Sequence, residues 1–253
     1  IGAFEFTLKG MTLSPRSAKF SKCSAIVSIK KFAFLINLRD LWIHIIIAMN
    51  LFESNREMKK LKILVTGGGG FIGRHITEKL VSDGHHVTII STGAEPESNA
   101  HKVLYTSLKE IDWKYTTGQD VVIHQMANND TRCMDTEEMY RTNFVGPIKL
   151  FGIAYKGGCR KFVYASSTAV YGNSPSPYTE ETPIDPLTPY AFSKSEFDKY
   201  AMMFAKSKNV SVIGLRYCNV YGPGEDRKGK RMSMIGQMLR SILANKKVLL
   251  FKD

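Results

Sequence analysis

From Leu61 onwards the chain predicts a doubly wound α/β fold, a parallel sheet with helices on both faces. Two observations carry that prediction. Short apolar runs alternate with longer amphipathic ones, the pattern of strands joined by crossover helices. The first apolar run, Lys62-Ile63-Leu64-Val65, leads through Thr66 into a glycine cluster and then a helical pattern, all within LKILVTGGGGFIG at Leu61–Gly73. Strand, glycine turn and helix in that order build a pyrophosphate site. The turn must be tight, the backbone must approach the phosphates, and the helix must pack closely on the strand. The free N–H groups and positive end of that helix then face the anion.

Gly67, Gly70 and Gly73 stand three apart. Ile72, Ile76 and Leu80 share one face of the helix that follows, and Asp83-Gly84 is its stop signal. Val87–Ile90 reads as the second strand, Val103–Tyr105 as a short third, and Val121–His124 as the fourth. Thr136–Tyr155 reads as one long helix, with Met139, Phe144, Ile148, Leu150 and Phe151 toward the core. Lys161–Ala165 is the fifth strand. Pro189–Lys206 is a helix, with Thr188 as N-cap and Pro189 at its first position. Val210–Leu215 is the sixth strand, Met232–Ala244 a further helix, and Val248–Phe251 opens another strand. The glycine spacing does not make a nucleoside-triphosphatase loop, because Arg74 and His75 stand where Lys and then Ser or Thr are required.

Composition narrows the classes. The 253 residues are 43% hydrophobic and 23% charged, as in a soluble globular protein of one large domain or slightly more. The net charge of +12 suits a chain that binds an anionic small molecule. Nucleic acid is not expected, since no clustered basic run interleaves with aromatics. Cys23, Cys133, Cys159 and Cys218 lie far apart, with no C-x-x-C pair for zinc or a redox dithiol, and a reducing cytoplasm is the compartment expected. Residues 1–57 do not follow the strand–helix pattern. Their clean apolar stretch, Leu41–Leu51, is too short for a hydrocarbon core of roughly 30 Å, and no small-residue cleavage site follows it. Met58 stands directly before the first strand, as a natural start would. Residues 1–57 are therefore expected to lie outside the fold, with a membrane-associated helix as the rival reading. Residues 58–253 are expected to form the dinucleotide-binding domain and the start of a substrate domain.

Three further stretches bear on chemistry: YASSTAVYG at Tyr164–Gly172, YAFSK at Tyr190–Lys194, and LRYCNVYGP at Leu215–Pro223. With the glycine turn, in this order and spacing, they resemble the extended short-chain dehydrogenase/reductase family of NAD-dependent epimerases and dehydratases. The resemblance covers about Lys60–Asp253. It implies a Rossmann-type sheet and a C-terminal substrate domain that continues beyond Asp253. It also implies NAD or NADP held by Gly67, Gly70, Phe71, Ile72, Gly73 and Ser91, a nucleotide-diphospho-sugar substrate, and a homo-oligomer.

Tyr190 and Lys194 are four apart and share a helix face. A phenol of pKa about 10 is a poor base near neutrality, and a nearby ammonium lowers it. By resemblance, Tyr190 exchanges a proton with a sugar hydroxyl and Lys194 also holds the nicotinamide ribose. By resemblance too, one serine hydrogen-bonds the reacting oxygen. Strand alternation points only one of Ser166 and Ser167 at a ligand, and alignment on Val170-Tyr171-Gly172 selects Ser167. Sugar-nucleotide dehydratases carry Thr-Asp-Glu here, where this chain has Ser167-Thr168-Ala169, which argues against dehydration. HQMANNDTRCMD at His124–Asp135, VYGNSPSP and GPGEDRKG resemble the ADP-glyceromanno-heptose 6-epimerase family. That likeness puts a second base at Lys228, with Lys230 and Arg231 close by, and a substrate contact at Asn219. One position departs from the pattern. Ser91-Thr92 end the second strand where an acid usually grips the ribose 2′-hydroxyl. Ser107 follows the third strand, and Arg74 is a candidate partner for a 2′-phosphate. The function expected is an NAD(P)-dependent sugar-nucleotide epimerase working through a keto intermediate. The alternatives are a UDP-hexose 4-epimerase, an NADPH-dependent keto-sugar-nucleotide reductase, or a non-catalytic NAD(P)-binding module.

Overall fold

The structure, a computed structural model, describes residues 25–28, 35–37, 60–93, 98–108, 110, 113–131, 133–246 and 248. The strands are β1 (Ala25–Ser28), β2 (Leu35–Asn37), β3 (Lys62–Thr66), β4 (His86–Ser91), β5 (Lys102–Tyr105), β6 (Val121–His124), β7 (Lys161–Ser167), β8 (Ser211–Tyr217) and β9 (Asn219–Tyr221). The helices are α1 (Phe71–Ser82), α2 (Thr136–Tyr140), α3 (Gly146–Lys156), α4 (Pro189–Lys208) and α5 (Met234–Leu243).

Seven strands form one parallel sheet in the order β1-β8-β7-β6-β3-β4-β5. Register decides which residues share a face. Ile63 lies opposite Val87 and Val121, and Val65 opposite Ile89 and Ile123. These six are buried against Ile76 and Leu80 of α1. The intervening residues Leu64, Val122 and Ile90 join Phe162 and Tyr164 on the other face, under Leu150 and Phe151 of α3 and Phe197 and Phe204 of α4. Burial on both faces is why these strands read as continuous apolar runs without alternation.

Three differences from expectation stand out. The helix expected over Thr136–Tyr155 is broken by a π-helical turn at Arg141–Val145. Pro147 has no N–H to donate to the carbonyl four residues back, at Asn143, so the ladder widens there. The turn carries Asn143 inward to 1% exposure. Its Oδ1 accepts from Asn128 N at 2.8 Å, and its Nδ2 donates to Asn128 O at 2.9 Å and Ser193 Oγ at 3.2 Å. The fifth and sixth strands run two residues past their expected ends, because β7 and β8 stay paired through Ser166↔Arg216 and Ser167↔Tyr217. Residues 1–57, expected to stand apart, include β1 on the edge of β8 and β2 paired with β9. The rest of that stretch lies outside the described residues, as do residues 249–251 of the strand expected at Val248–Phe251.

Helix ends follow local chemistry. Gly84 closes α1 with φ +83°, the left-handed backbone a glycine adopts freely. Thr188 caps α4 by accepting from Ala191 N at 3.2 Å, and Pro189 opens the helix. Among the described residues, no helix is long and apolar enough to cross a membrane, and no cluster of His, Cys, Asp or Glu could hold a metal ion.

Candidate active site

The strand order reverses at β3. The chain runs outward through β4 and β5, then returns to place β6 on the other side of β3. Ligands of open α/β sheets bind in the crevice at such a point. Here Thr66 and His124 end the two strands, joined at 2.6 Å between Oγ1 and Nδ1. The glycine turn rises directly from Thr66. Gly67 adopts φ +72°, and a Cβ on it would lie 2.7 Å from Met126 N. A Cβ on Gly73 would lie 2.1 Å from Gly67 O, so the close approach of helix to turn depends on a bare residue there. Gly70 is different. Its φ is −73°, and a Cβ would meet only Gly67 O, at 3.2 Å. A side chain there would crowd the turn by a few tenths of an ångström and would also project beyond it.

The N-terminus of α1 has no side-chain cap and no acidic residue in its first turn. The N–H groups that begin a helix have no partner within it, and this set opens on the crevice with Phe71 and Ile72 half-buried beside it. At the end of β6, His124 Nε2 and Gln125 Nε2 are buried without a protein partner. An uncapped helix end, a tight glycine turn and two orphaned polar atoms fit a dinucleotide lying across the ends of β3 and β6. At the end of β4, Ser91 is 6% exposed and accepts from Gly93 N at 3.4 Å. Among the described residues, no carboxylate occupies that strand end.

Ser167, Tyr190 and Lys194 come together at the neighbouring strand end. Alternation along β7 buries Ser166 at 2% exposure and leaves Ser167 half-buried, close enough to the Tyr190 phenol to act on it. Ser167 Oγ also accepts from Ala169 N at 3.1 Å. Lys194 is 3% exposed, donates from Nζ to Ala165 O at 2.8 Å, and stands 5.9 Å from the centre of the Tyr190 ring. The expectation that Lys194 lowers the Tyr190 pKa meets a different balance. Burial raises the phenol above its ordinary value, and the Ser167 hydroxyl is what opposes it. Burial also lowers Lys194 to about 8, with Asp198 pulling the other way. His124 is lowered to about 3, by burial and then by the Lys194 charge, and is neutral near pH 7.

Lys228 lies in the 3₁₀ turn Glu225–Arg231, which packs against α1. Its Nζ stands 4.9 Å from the centre of the Phe71 ring, at the first residue of α1, and pairs with Glu225 Oε1 at 3.1 Å. Asn219 begins β9 and is exposed.

Sequence reasoning missed the residues that hold these groups. Glu225 is 4% exposed, and its two oxygens accept from Ser233 N and Ser233 Oγ as well as Lys228. It thus ties Lys228 to the start of α5. Asp198 accepts from Tyr164 and Arg216 below Lys194. The available signals were an acid three residues before Lys228 and another four after Lys194, each at a spacing that brings it to the lysine's side of the turn.

A doubly wound sheet with a glycine turn at its switch point and a serine, tyrosine and lysine gathered beside it defines a dinucleotide-dependent enzyme class. The model of the NAD dependent epimerase/dehydratase family matches residues 63–253, and the chain belongs to that family. It is 33% identical over 205 residues to an ADP-L-glycero-D-manno-heptose-6-epimerase of Brachyspira hyodysenteriae, an alignment covering 75% of this chain and 64% of that one. It is 34% identical over 202 residues to a putative UDP-glucose 4-epimerase of Methanocaldococcus jannaschii, covering 76% and 66%. Among solved structures it is similar to a UDP-N-acetylglucosamine 4-epimerase from Methanobrevibacter ruminantium in complex with UDP-N-acetylmuramic acid. That match has a TM-score of 0.72 at 29% identity, covering 78% of this chain and 67% of that one. The chain thus spans just under two thirds of the length of these curated relatives.

Proposed function

We propose that this chain carries the cofactor-binding and catalytic part of a sugar-nucleotide epimerase that uses NAD or NADP, and that its substrate is an ADP-heptose inverted at C6. The observation that carries this reading is the meeting of Ser167, Tyr190 and Lys194 at the same carboxyl edge of the sheet as the uncapped N-terminus of α1. The relatives divide between a heptose 6-epimerase and a UDP-glucose 4-epimerase. Lys228, at the position of a second base, favours the heptose enzyme, while a UDP-hexose 4-epimerase is the second reading.

In this reading the backbone N–H groups of Gly67–Gly73 hold the pyrophosphate, and Ser91 lies toward the adenosine ribose. A serine at that end tolerates a ribose with or without a 2′-phosphate. NAD(P), when bound, supplies a hydride acceptor and donor. Ser167 hydrogen-bonds the reacting sugar oxygen and orients it. Tyr190 exchanges one proton with that oxygen, and the Lys194 ammonium beside it stabilises the phenolate while it lasts. Lys228 does the same on the opposite face of the carbon, because the two epimers carry their hydroxyls on opposite sides. Asn219 contacts the substrate. A reductase needs only one of these faces, and a module that merely holds the cofactor needs neither.

Lys228→Met in the full-length protein tests the assignment. It keeps the volume and removes the amine, so interconversion should fall by about 10²–10⁴-fold, the worth of a general acid or base. An unchanged maximal rate would shift the role to Lys230 or return the reading to a reductase. We extend the proposal to a homo-oligomer. Val145, Phe192, Met202 and Met203 leave exposed apolar surface on the helical layer, which a second copy would cover. A monomer mass in light scattering at micromolar concentration would contradict this.

A further inference from the structure

Lys194 presents a problem of charge. An ammonium has three donors and no acceptor, and a buried one is costly without a counter-charge. At 3% exposure its recorded hydrogen bond is to a neutral carbonyl, Ala165 O. One helical turn further on, Asp198 is buried at 1% exposure on the same face of α4. Its Oδ1 accepts from the Tyr164 hydroxyl at 2.8 Å, and its Oδ2 from Arg216 Nε and the second guanidinium nitrogen, both at 3.0 Å. Tyr164 immediately precedes Ala165, so the acid grips the strand beside the carbonyl that grips the lysine. The arrangement has its own steric provision. A Cβ at position 214 would lie 2.4 Å from the Tyr164 hydroxyl, and Gly214 is bare there. Arg216 continues to the Tyr171 hydroxyl at 2.9 Å, and Tyr171 donates to Thr179 O at 2.9 Å. The network therefore spans β7, β8, α4 and the turn that follows Ser167.

We propose that Asp198 is a positioning residue for Lys194: with Tyr164 and Arg216 it fixes the place of that ammonium beside Tyr190 and keeps it charged. The proposal rests on the reading of Tyr190 and Lys194 as an acid–base pair. A buried ion pair that served stability alone could be replaced by apolar side chains at little or no cost. This one stands where a cation must be retained. The titratable groups that face Lys194 are Tyr190 and Asp198 on its own helix and His124 on β6. Those facing Asp198 are Tyr164 on β7, Arg216 on β8 and Lys194 itself. Of these, Asp198 is the anion that resists the downward pull of burial on the lysine. Removing its charge lowers the lysine further, so the ammonium is lost at a lower pH.

The test is a pH titration of Lys194 by NMR of isotopically labelled lysine in the full-length protein, with the signal assigned through Lys194→Arg. Asp198→Asn alone strands a buried guanidinium and can fail to fold. Asp198→Asn/Arg216→Gln removes both charges together and keeps the measurement open. Tyr164→Phe removes one hydrogen bond and no charge. Measured against Arg216→Gln alone, so that only the Asp198 charge differs, the Lys194 midpoint of the double variant should fall by about one pH unit, the lower end of what a nearby opposite charge does. The alkaline limb of turnover should move with it, while Tyr164→Phe leaves the midpoint in place. An unmoved midpoint in the folded double variant would overturn the proposal, as would an equal shift in Tyr164→Phe. The functional reading stands or falls separately, on turnover of Tyr190→Phe.

Discussion

At the scale of single residues, Tyr190 and His124 carry the sharpest expectations. Tyr190→Phe removes the exchangeable proton and keeps the ring. Turnover should drop by about 10²–10⁴-fold, with cofactor binding and melting temperature little changed. Near-wild-type turnover would remove Tyr190 from the chemistry. His124 concerns stability. Its pKa falls from 6.5 to about 3 on folding, so below pH 6.5 the unfolded chain binds the proton and the folded one does not. Its contribution to stability is complete above 6.5 and is lost as pH falls toward 3, at up to about 1.4 kcal/mol per pH unit. Melting temperatures from pH 7 to 4 should therefore decline less steeply in His124→Gln than in the wild type. Parallel curves would show that His124 is not held neutral. At this scale the sequence was partly legible. Ser167, Tyr190 and Lys194 stand in recognisable strings. Asp198 stands outside those strings, and Arg216 and Glu225 stand inside them without a legible role, because what marks all three is burial and mutual contact, and neither is visible along a chain.

At the scale of elements, the glycine turn separates two demands that spacing alone could not. Gly73 is needed by the fold, since a Cβ there would strike Gly67 O. Gly70 has an ordinary backbone angle, and a Cβ there would meet Gly67 O at 3.2 Å, a contact the turn relieves by a shift of a few tenths of an ångström. Gly70→Val should leave the thermal melt close to wild type and abolish cofactor binding, read by titration of NADH and NADPH fluorescence. Retained nucleotide would show that the pyrophosphate lies elsewhere. Most elements from β3 to α5 were legible because burial on both faces makes parallel strands apolar throughout, and because caps such as Thr188 and stops such as Gly84 announce helix ends. The π-helical turn was not legible. Its only local signal is Gly146-Pro147, which reads equally well as a tolerated interruption. Strands β1 and β9 pair with partners distant in sequence, and short strands of that kind have no period of their own to detect.

At the scale of the whole molecule, the sheet order turns these pieces into a site. The reversal at β3 sets the glycine turn, the orphaned nitrogens of His124 and Gln125, and the Ser167–Tyr190–Lys194 group along one edge of the sheet. Glu225 brings Lys228 to the start of α1. The proposed reaction of the complete protein is inversion of one carbinol carbon of a nucleotide-linked sugar through a ketone, without net redox change. The direct measurement is proton NMR of the full-length protein with an ADP-heptose, run in heavy water. The account predicts a mixture of C6 epimers from either starting epimer, with the original hydrogen retained on C6 because it returns from the bound cofactor. Deuterium at C6 would contradict it, and so would a failure to interconvert the epimers while the cofactor is bound.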